Sequence, residues 1–440
     1  MVGKGERSLT VRRHATQGSG MISMGPAETN WAGNVEYRAT GVEHPRNRDE
    51  LRTAVTGHDR VTPLGSRHSF SRIADTDGVQ ISLRQMPAIV EIDADRQVAR
   101  VAAGLTHAEV ASRLDAAGFA LHNLASLPHI SVGGAVATGT HGSGVRNPSL
   151  AASVVGIEIV RADGRIETLD RDHPDLDAHR VGLGALGVVT MLDLAIEPRF
   201  EVAQTVHTGL DWDTVDAHFD EVMGAGYSVS MFTGYGEEGV RQVWTKRRMD
   251  RDEPVVDLAA FGAVPADRPL HPVPGIEPAG VTEGLGRPGP WHERLPHFRS
   301  SFTPSAGEEI QCEYLLAVAD AVPALHALRA LGPALAPVLY GSEIRGVAAD
   351  TAWLAPSSER DSVAFHFTFR RDPHGVAAVL PLIDDALAPF GGRPHWGKVT
   401  AMPASRLPEV YPRLEAFAAL ANRLDPARRF RNAYLTDVLG

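Results

Sequence analysis

The segment SVAFHFTFRR, residues 362–371, alternates so cleanly that it reads as a strand with two unlike faces. Successive strand residues point to opposite sides, so Val363, Phe365, Phe367 and Phe369 share one face while Ala364, His366, Thr368 and Arg370 share the other. Upstream, YGSEIRGV puts Glu343 and Arg345 together, opposite Ile344. If the two strands are neighbours in one sheet, Glu343, Arg345, His366 and Thr368 form a patch of hydrogen-bond donors and acceptors on a rigid platform. A half-solvated antiparallel sheet gives the same pattern. Against that bland reading, His and Thr serve solubility poorly, and RPHWGKV downstream sets Lys398 beside Trp396 and Gly397, where a plain surface needs neither.

The first half of the chain reads as short strands with few crossover helices, an α+β pattern. RVTPLGS, GVQISL, AIVEID and QVARVAA are strands, a helix is predicted from about Asn47 to Thr56, and THAEVASRLDAAG is a second helix closed by Gly118. In VVGIEIVRADGRIETL the pair Asp163-Gly164 between alternating apolar residues predicts a hairpin. A further strand ends at Pro198. Beyond Glu201 the rhythm changes. A helix is expected over Asp213 to Gly224, strands over Ser228 to Thr233 and Arg241 to Arg247, then a lid-like surface excursion from Pro265 to Pro290. We place domains at 30–199 and 200–390, with 391–440 returning to the first, and read 1–29 as a disordered extension.

Two glycine-rich segments and one turn could hold a ligand. SVGGAVATGTHGSG, residues 131–144, offers a backbone concavity suited to a pyrophosphate, although a tight structural loop uses the same residues. Gly182, Gly184 and Gly187 spell the dinucleotide-binding pattern, but a polar stretch precedes them and a β-branched strand follows, the reverse of the required strand-to-helix context. In VTPLGSRHSF a strand runs into a Gly-Ser-x-His-Ser turn, where the neutral imidazole of His68 is a nucleophile flanked by small residues. HERLPH, residues 292–297, imitates a zinc motif, but its histidines stand five apart with Pro296 between, so no metal site is expected.

A formal charge of −11 without a basic block argues against a nucleic-acid partner. No apolar run is long enough to span a bilayer, and one cysteine, Cys312, excludes an intramolecular disulfide and fits a cytoplasmic location. The oligomeric state is left open, and a monomer is compatible with everything read here.

The motifs NWAGN, GSRHSF, ASLPHISVGGAVATGTHGSG, LGALGVVT, WTKRR, PGPWHERLPHFR, SEIR, HFTF, PHWGK and LDPARRFRNAYL occur in one order from Asn30 to the end. Together they resemble the alditol (xylitol) oxidases, relatives of the aldonolactone oxidases in the vanillyl-alcohol-oxidase flavoprotein superfamily. The resemblance implies an FAD-binding domain of two α+β subdomains and a cap domain built on a mixed or antiparallel sheet. It implies that His68 is bonded covalently to FAD, with Leu64, Gly65, Ser66, Arg67 and Ser69 around it. Ser126, Ser131, Gly134, Ala135, Val136, Ala137, Thr138, Gly139, Thr140, Val188 and His395 would complete the cofactor site. Arg67 stands where the resemblance leads one to expect glycine. Ser126, Glu343, Arg345, Thr368 and Lys398 match substrate-contacting positions, with His366 beside them, and Arg345 and Lys398 would be the catalytic pair. The implied reaction is oxidation of a polyol's primary hydroxyl by dioxygen, the runner-up being an aldonolactone substrate.

Overall fold

The computed structural model describes residues 28–252, 256–302 and 308–440. All but the last two residues of the expected extension, 1–29, lie outside them. Asn47 accepts from the backbone N–H of Glu50 at 2.9 Å and opens the helix Arg48–Thr56. Thr106 and Glu109 form a reciprocal capping box on His107–Ala116, and Gly118 follows in the left-handed region at φ 86°. The Asp163-Gly164 turn closes a hairpin in which Val160 pairs with Ile166.

Among the described residues three larger sheets surround these elements, besides a two-stranded pairing of Glu197–Pro198 with Phe119–Ala120. Gly41–Glu43, Val79–Ser82 and Val61–Leu64 make a small parallel sheet. Val90–Asp93, Val98–Ala102, Val188–Ala195, Val154–Val160 and Ile166–Leu169 make an antiparallel one. The nine-stranded cap sheet is antiparallel at every pairing. At its centre Leu339–Val347 and Glu309–Ala317 flank Ser362–Arg370. Phe365, Phe367 and Phe369 pack with Ile344 and Cys312 in the main core, which also takes in Leu325 and Leu328 of Ala321–Ala330 and Val376 and Ile383 of Pro373–Leu387. Burying three phenylalanines on one face is worth several kcal/mol of transfer free energy and fixes the register, since a one-residue slip would exchange the faces.

The chain's end meets its beginning. Arg429 accepts from the N–H of Val61 at 2.9 Å, Asn432 donates to the carbonyl of Ile73 at 2.9 Å, and Phe430 clusters with Leu51 and Val55. The cap sheet runs slightly further than 390, because Arg393–Pro394 still pairs with Tyr314 and Leu315.

Three local readings need correction. The helix expected over Asp213 to Gly224 is two, Trp212–Ala217 and Phe219–Met223, because His218 leaves the helical region at φ −130° with its ring stacked on Phe261. The excursion from Pro265 to Pro290 ends as an edge strand, Leu285–Pro290, on Glu201–Leu210, where its prolines need no ladder donors. Within 131–144, Val132–Ala137 is a short helix rather than a loop. Gly133 and Gly134 there act by lacking side chains: a Cβ on Gly133 would lie 3.0 Å from that of Ala103, and one on Gly134 2.7 Å from Ser131 Oγ.

Candidate active site

One cavity of about 470 Å³ runs between the two small sheets and the polar face of the cap sheet. On one side lies the turn after Val61–Leu64, and a Cβ on Gly65 would stand 2.4 Å from Ser131 Oγ, so this turn and the short helix touch through glycine. Ser66 and Ser131 tie them with two 3.2 Å hydrogen bonds. Arg67 takes φ 61°, the left-handed conformation that glycine adopts without cost, and its guanidinium pairs with Glu28 at 2.7 Å. His68 stacks on Trp31, ring centroids 4.2 Å apart, and its Nε2 lies 3.1 Å from that of His129. Burial, helped by the charges of His129 and Lys398, lowers the pKa of His68 to about 3, so the imidazole is neutral and nucleophilic at ordinary pH.

The opposite side is the cap sheet. Glu313, His366 and Glu343 stand in one row across three adjacent strands, and Gln311 pairs with Thr368 in the row beside it. Arg345 donates to Glu313 and reaches Glu343 at 3.6 Å, while Lys398 donates to Gln311. Glu313, Glu343 and Arg345 are buried, and Lys398 is half-buried. Burial alone would raise Glu313 and Glu343, yet Arg345 ahead of the neighbouring histidines holds both carboxyls well below their usual range. Burial opposes the charge on Arg345, but the two carboxylates together raise its pKa; for Lys398 burial prevails over Glu313 and lowers it. The strip after Arg393–Pro394 carries Lys398 to this place, with His395 N–H donating to the carbonyl of Glu313 and Val399 N–H to that of Gln311.

The two sides meet. Phe70 N–H donates to the carbonyl of Gly397 at 2.7 Å, and Lys398 Nζ sits 5.0 Å from the centre of the Phe70 ring. Of the residues singled out from the sequence, Leu64 through Ser69, Ser126, Ser131, Gly134 through Thr138, Thr140, Val188, Glu343, Arg345, His366, Thr368, His395 and Lys398 all line the cavity. Gly139 does not: at φ 70° its missing Cβ would lie 2.9 Å from Pro356, so it serves the turn instead. Gly182, Gly184 and Gly187 also line the cavity, in a turn that leads into the strand Val188–Ala195 and not into a helix. The sequence reading missed Glu313, Gln311 and His141, and it dismissed His297 as part of a zinc decoy. His297 lies buried with Nε2 2.7 Å from Glu343. His141, Glu313 and His395 bring one potential ligand atom each within 4.8 Å of one another, but Arg345 already holds that carboxylate and Lys398 adds a second cation.

Residues 39–170 match the FAD binding domain family, and residues 306–438 match the D-arabinono-1,4-lactone oxidase family. The chain is 48% identical over 419 residues to an alditol oxidase from a Streptomyces species, covering 94% of this chain and all of that one. The chain belongs to the alditol oxidase family. A more distant relative is the L-gulono-1,4-lactone dehydrogenase of Mycobacterium tuberculosis, 27% identical over 451 residues, 95% of this chain and the whole of that one. The fold is that of a cholesterol oxidase from B. sterolicum, TM-score 0.75 at 13% identity, covering 96% of this chain and 100% of that one. For this member of the alditol oxidases the cavity fits FAD. Its wall carries glycine turns where side chains would intrude, and Thr62 Oγ1 and His179 Nε2, both on that wall, are buried without a protein partner.

Proposed function

We propose that this enzyme oxidises a primary hydroxyl of an alditol such as xylitol or sorbitol to the aldose, reducing dioxygen to hydrogen peroxide, with FAD bonded covalently through His68. The observation that carries the reading is the pair of cations, buried Arg345 and half-buried Lys398, on a platform that faces the His68 turn across one cavity. Bound FAD supplies the hydride acceptor and passes the electrons on to dioxygen. The protein supplies position and field. Arg345 and Lys398 donate hydrogen bonds to the reacting hydroxyl and stabilise its alkoxide character as hydride departs, each worth roughly 3–4 kcal/mol in a dry site. A guanidinium has five N–H groups, so the bond from Arg345 to Glu313 leaves donors for substrate. Glu343 accepts from another hydroxyl, while Ser126, Thr368 and His366 hold the rest of the chain.

A neutral His68 supports covalent attachment, since an imidazole must present a free lone pair to the flavin's methyl carbon. The second reading, an aldonolactone substrate, is favoured by the family match over 306–438. Peroxide release from a panel of alditols and sugar lactones separates the two. Turnover of lactones alone would overturn the alditol reading. In the same preparations His68→Ala should release its flavin on acid precipitation, and a yellow pellet would place the bond elsewhere.

A further inference from the structure

Beyond Glu343 lies a further buried cation that the mechanism does not use. Lys246 belongs to the strand Val240–Arg248 and is only 1% exposed. Its strand partners at that position, Gln204 and Ser228, are uncharged. Its Nζ donates to the carbonyl oxygens of Leu295 and Pro296 and lies 3.3 Å from Nδ1 of His297. On the other side of that ring Nε2 stands 2.7 Å from Glu343 Oε1. Trp244 and Phe232 confine the ring, with centroids 5.2 and 5.6 Å away.

Burial lowers the pKa of Lys246 to about 7 and that of His297 to about 4, so between the two the proton resides on the lysine, and one arrangement satisfies its ammonium form. An ammonium has three hydrogens and accepts nothing, so Nδ1 of His297 must accept from Lys246. A neutral imidazole has one donor and one acceptor, so its proton sits on Nε2 and points at the carboxylate. The three acceptors around Nζ match its three hydrogens, which is the condition for keeping a charge inside the protein.

We propose that Lys246 and His297 are positioning residues: the ammonium fixes the imidazole tautomer, and the imidazole N–H orients the Glu343 carboxylate that receives a polyol hydroxyl. The inference rests on the reading of Glu343 as a substrate-binding group. A merely structural lysine would show its loss in stability, through the carbonyls left unpaired, and not in KM.

The test uses the flavin-loaded full chain and steady-state peroxide release with xylitol. Lys246→Met and His297→Leu should each raise KM about tenfold or more, the loss of a hydrogen bond to a charged group, with a smaller change in kcat. His297→Gln, whose amide can accept from Lys246 and donate to Glu343, should recover most of the lost affinity. Combined with Glu343→Gln, His297→Leu should add little, because the two act through one contact. If Glu343→Gln raises KM while Lys246→Met and His297→Leu leave it unchanged, the inference falls and the reading of Glu343 stands. If Glu343→Gln itself leaves KM unchanged, the reading falls and takes the inference with it. Should His297→Leu fail to retain flavin, Lys246→Met decides by the same criterion.

Discussion

The wall of the cavity that carries His68 is made of backbone, glycine turns and neutral rings, whereas the wall that carries Lys398 is made of charges paired inside the protein. The first achieves close approach by omitting side chains, at Gly65 and Gly134. The second sets Arg345 and Lys398 against Glu313 and Glu343, with Gln311 and the histidines beside them. A planar cofactor needs room and an unprotonated nucleophile. A polyol needs donors and acceptors that are already aimed. The two walls therefore answer to different perturbations: the charged wall to loss of a partner, the glycine wall to backbone strain.

The largest effect should come from breaking a pair on the charged wall. Glu313→Ala leaves Arg345 buried without its main carboxylate, and removing one partner of a buried pair costs about 3–5 kcal/mol. Thermal unfolding of the holoenzyme should show a clear drop in Tm. An unchanged Tm would mean that Glu343 alone suffices to hold the guanidinium.

Next in size is Lys398→Ala, which should lower kcat by about 10²–10³ with FAD still bound. On the proposed placement of FAD against the other wall, flavin content should stay the same while turnover collapses. Loss of flavin in this variant would dissolve the distinction between the walls, and an unchanged kcat would remove Lys398 from the chemistry.

Acid should reach the two kinds of group in separate windows. Burial lowers the pKa of His395 to about 3 and that of His297 to about 4, below the unfolded value near 6.5. The unfolded chain then binds more protons than the folded one, so stability falls as pH drops below about 6.5, by about 2 kcal/mol per histidine at pH 5. The carboxyls of Glu313 and Glu343 are held well below their unfolded value, so their contribution is present above about 4.5 and is lost as pH falls further. Urea unfolding from pH 7 to pH 3 should show the histidine slope first. In His395→Asn that first slope should become shallower by one histidine's share, with His68 and His297 still contributing, while the lower one remains.

The sequence exposed the two walls unequally. The glycine turn, the hairpin at Asp163-Gly164 and the alternation through His366 and Thr368 were legible because each is a local pattern with one backbone solution. Glu313 and Gln311 sit on the neighbouring strand Glu309–Ala317, and their roles depend on register. Glu313 becomes the partner of Arg345 only because Glu309–Ala317 pairs with Ser362–Arg370, which pairs in turn with Leu339–Val347. No local feature of EIQCEYLLA carries that information. His297 was hidden differently: its spacing from His292 argued against a zinc motif, and that reading drew attention from what else a buried imidazole can do. The short helix Val132–Ala137 went unread because its glycines and β-branched residues are poor helix formers, and packing on Ala103 decides the matter.

The smallest expected effect tests the glycine wall at Arg67, where a residue with a side chain holds a left-handed conformation. Arg67 holds φ 61°, for which a residue with a Cβ gives up roughly 1–2 kcal/mol, and its 2.7 Å pair with Glu28 is half-exposed and worth about 0–1 kcal/mol. Arg67→Gly removes the strain and the ion pair together while adding conformational freedom to the unfolded chain, so stability should change by less than about 1 kcal/mol. Arg67→Val keeps the left-handed requirement, loses the pair and adds a β-branch that tolerates this region worst, so it should be the less stable of the two by about 1–2 kcal/mol. Chemical unfolding of both variants gives the comparison, and acid precipitation shows whether the turn still presents His68 to the flavin. If the valine variant equals the glycine one in both measurements, the turn relaxes out of its left-handed bend, and the close approach of this wall owes nothing to backbone conformation at Arg67.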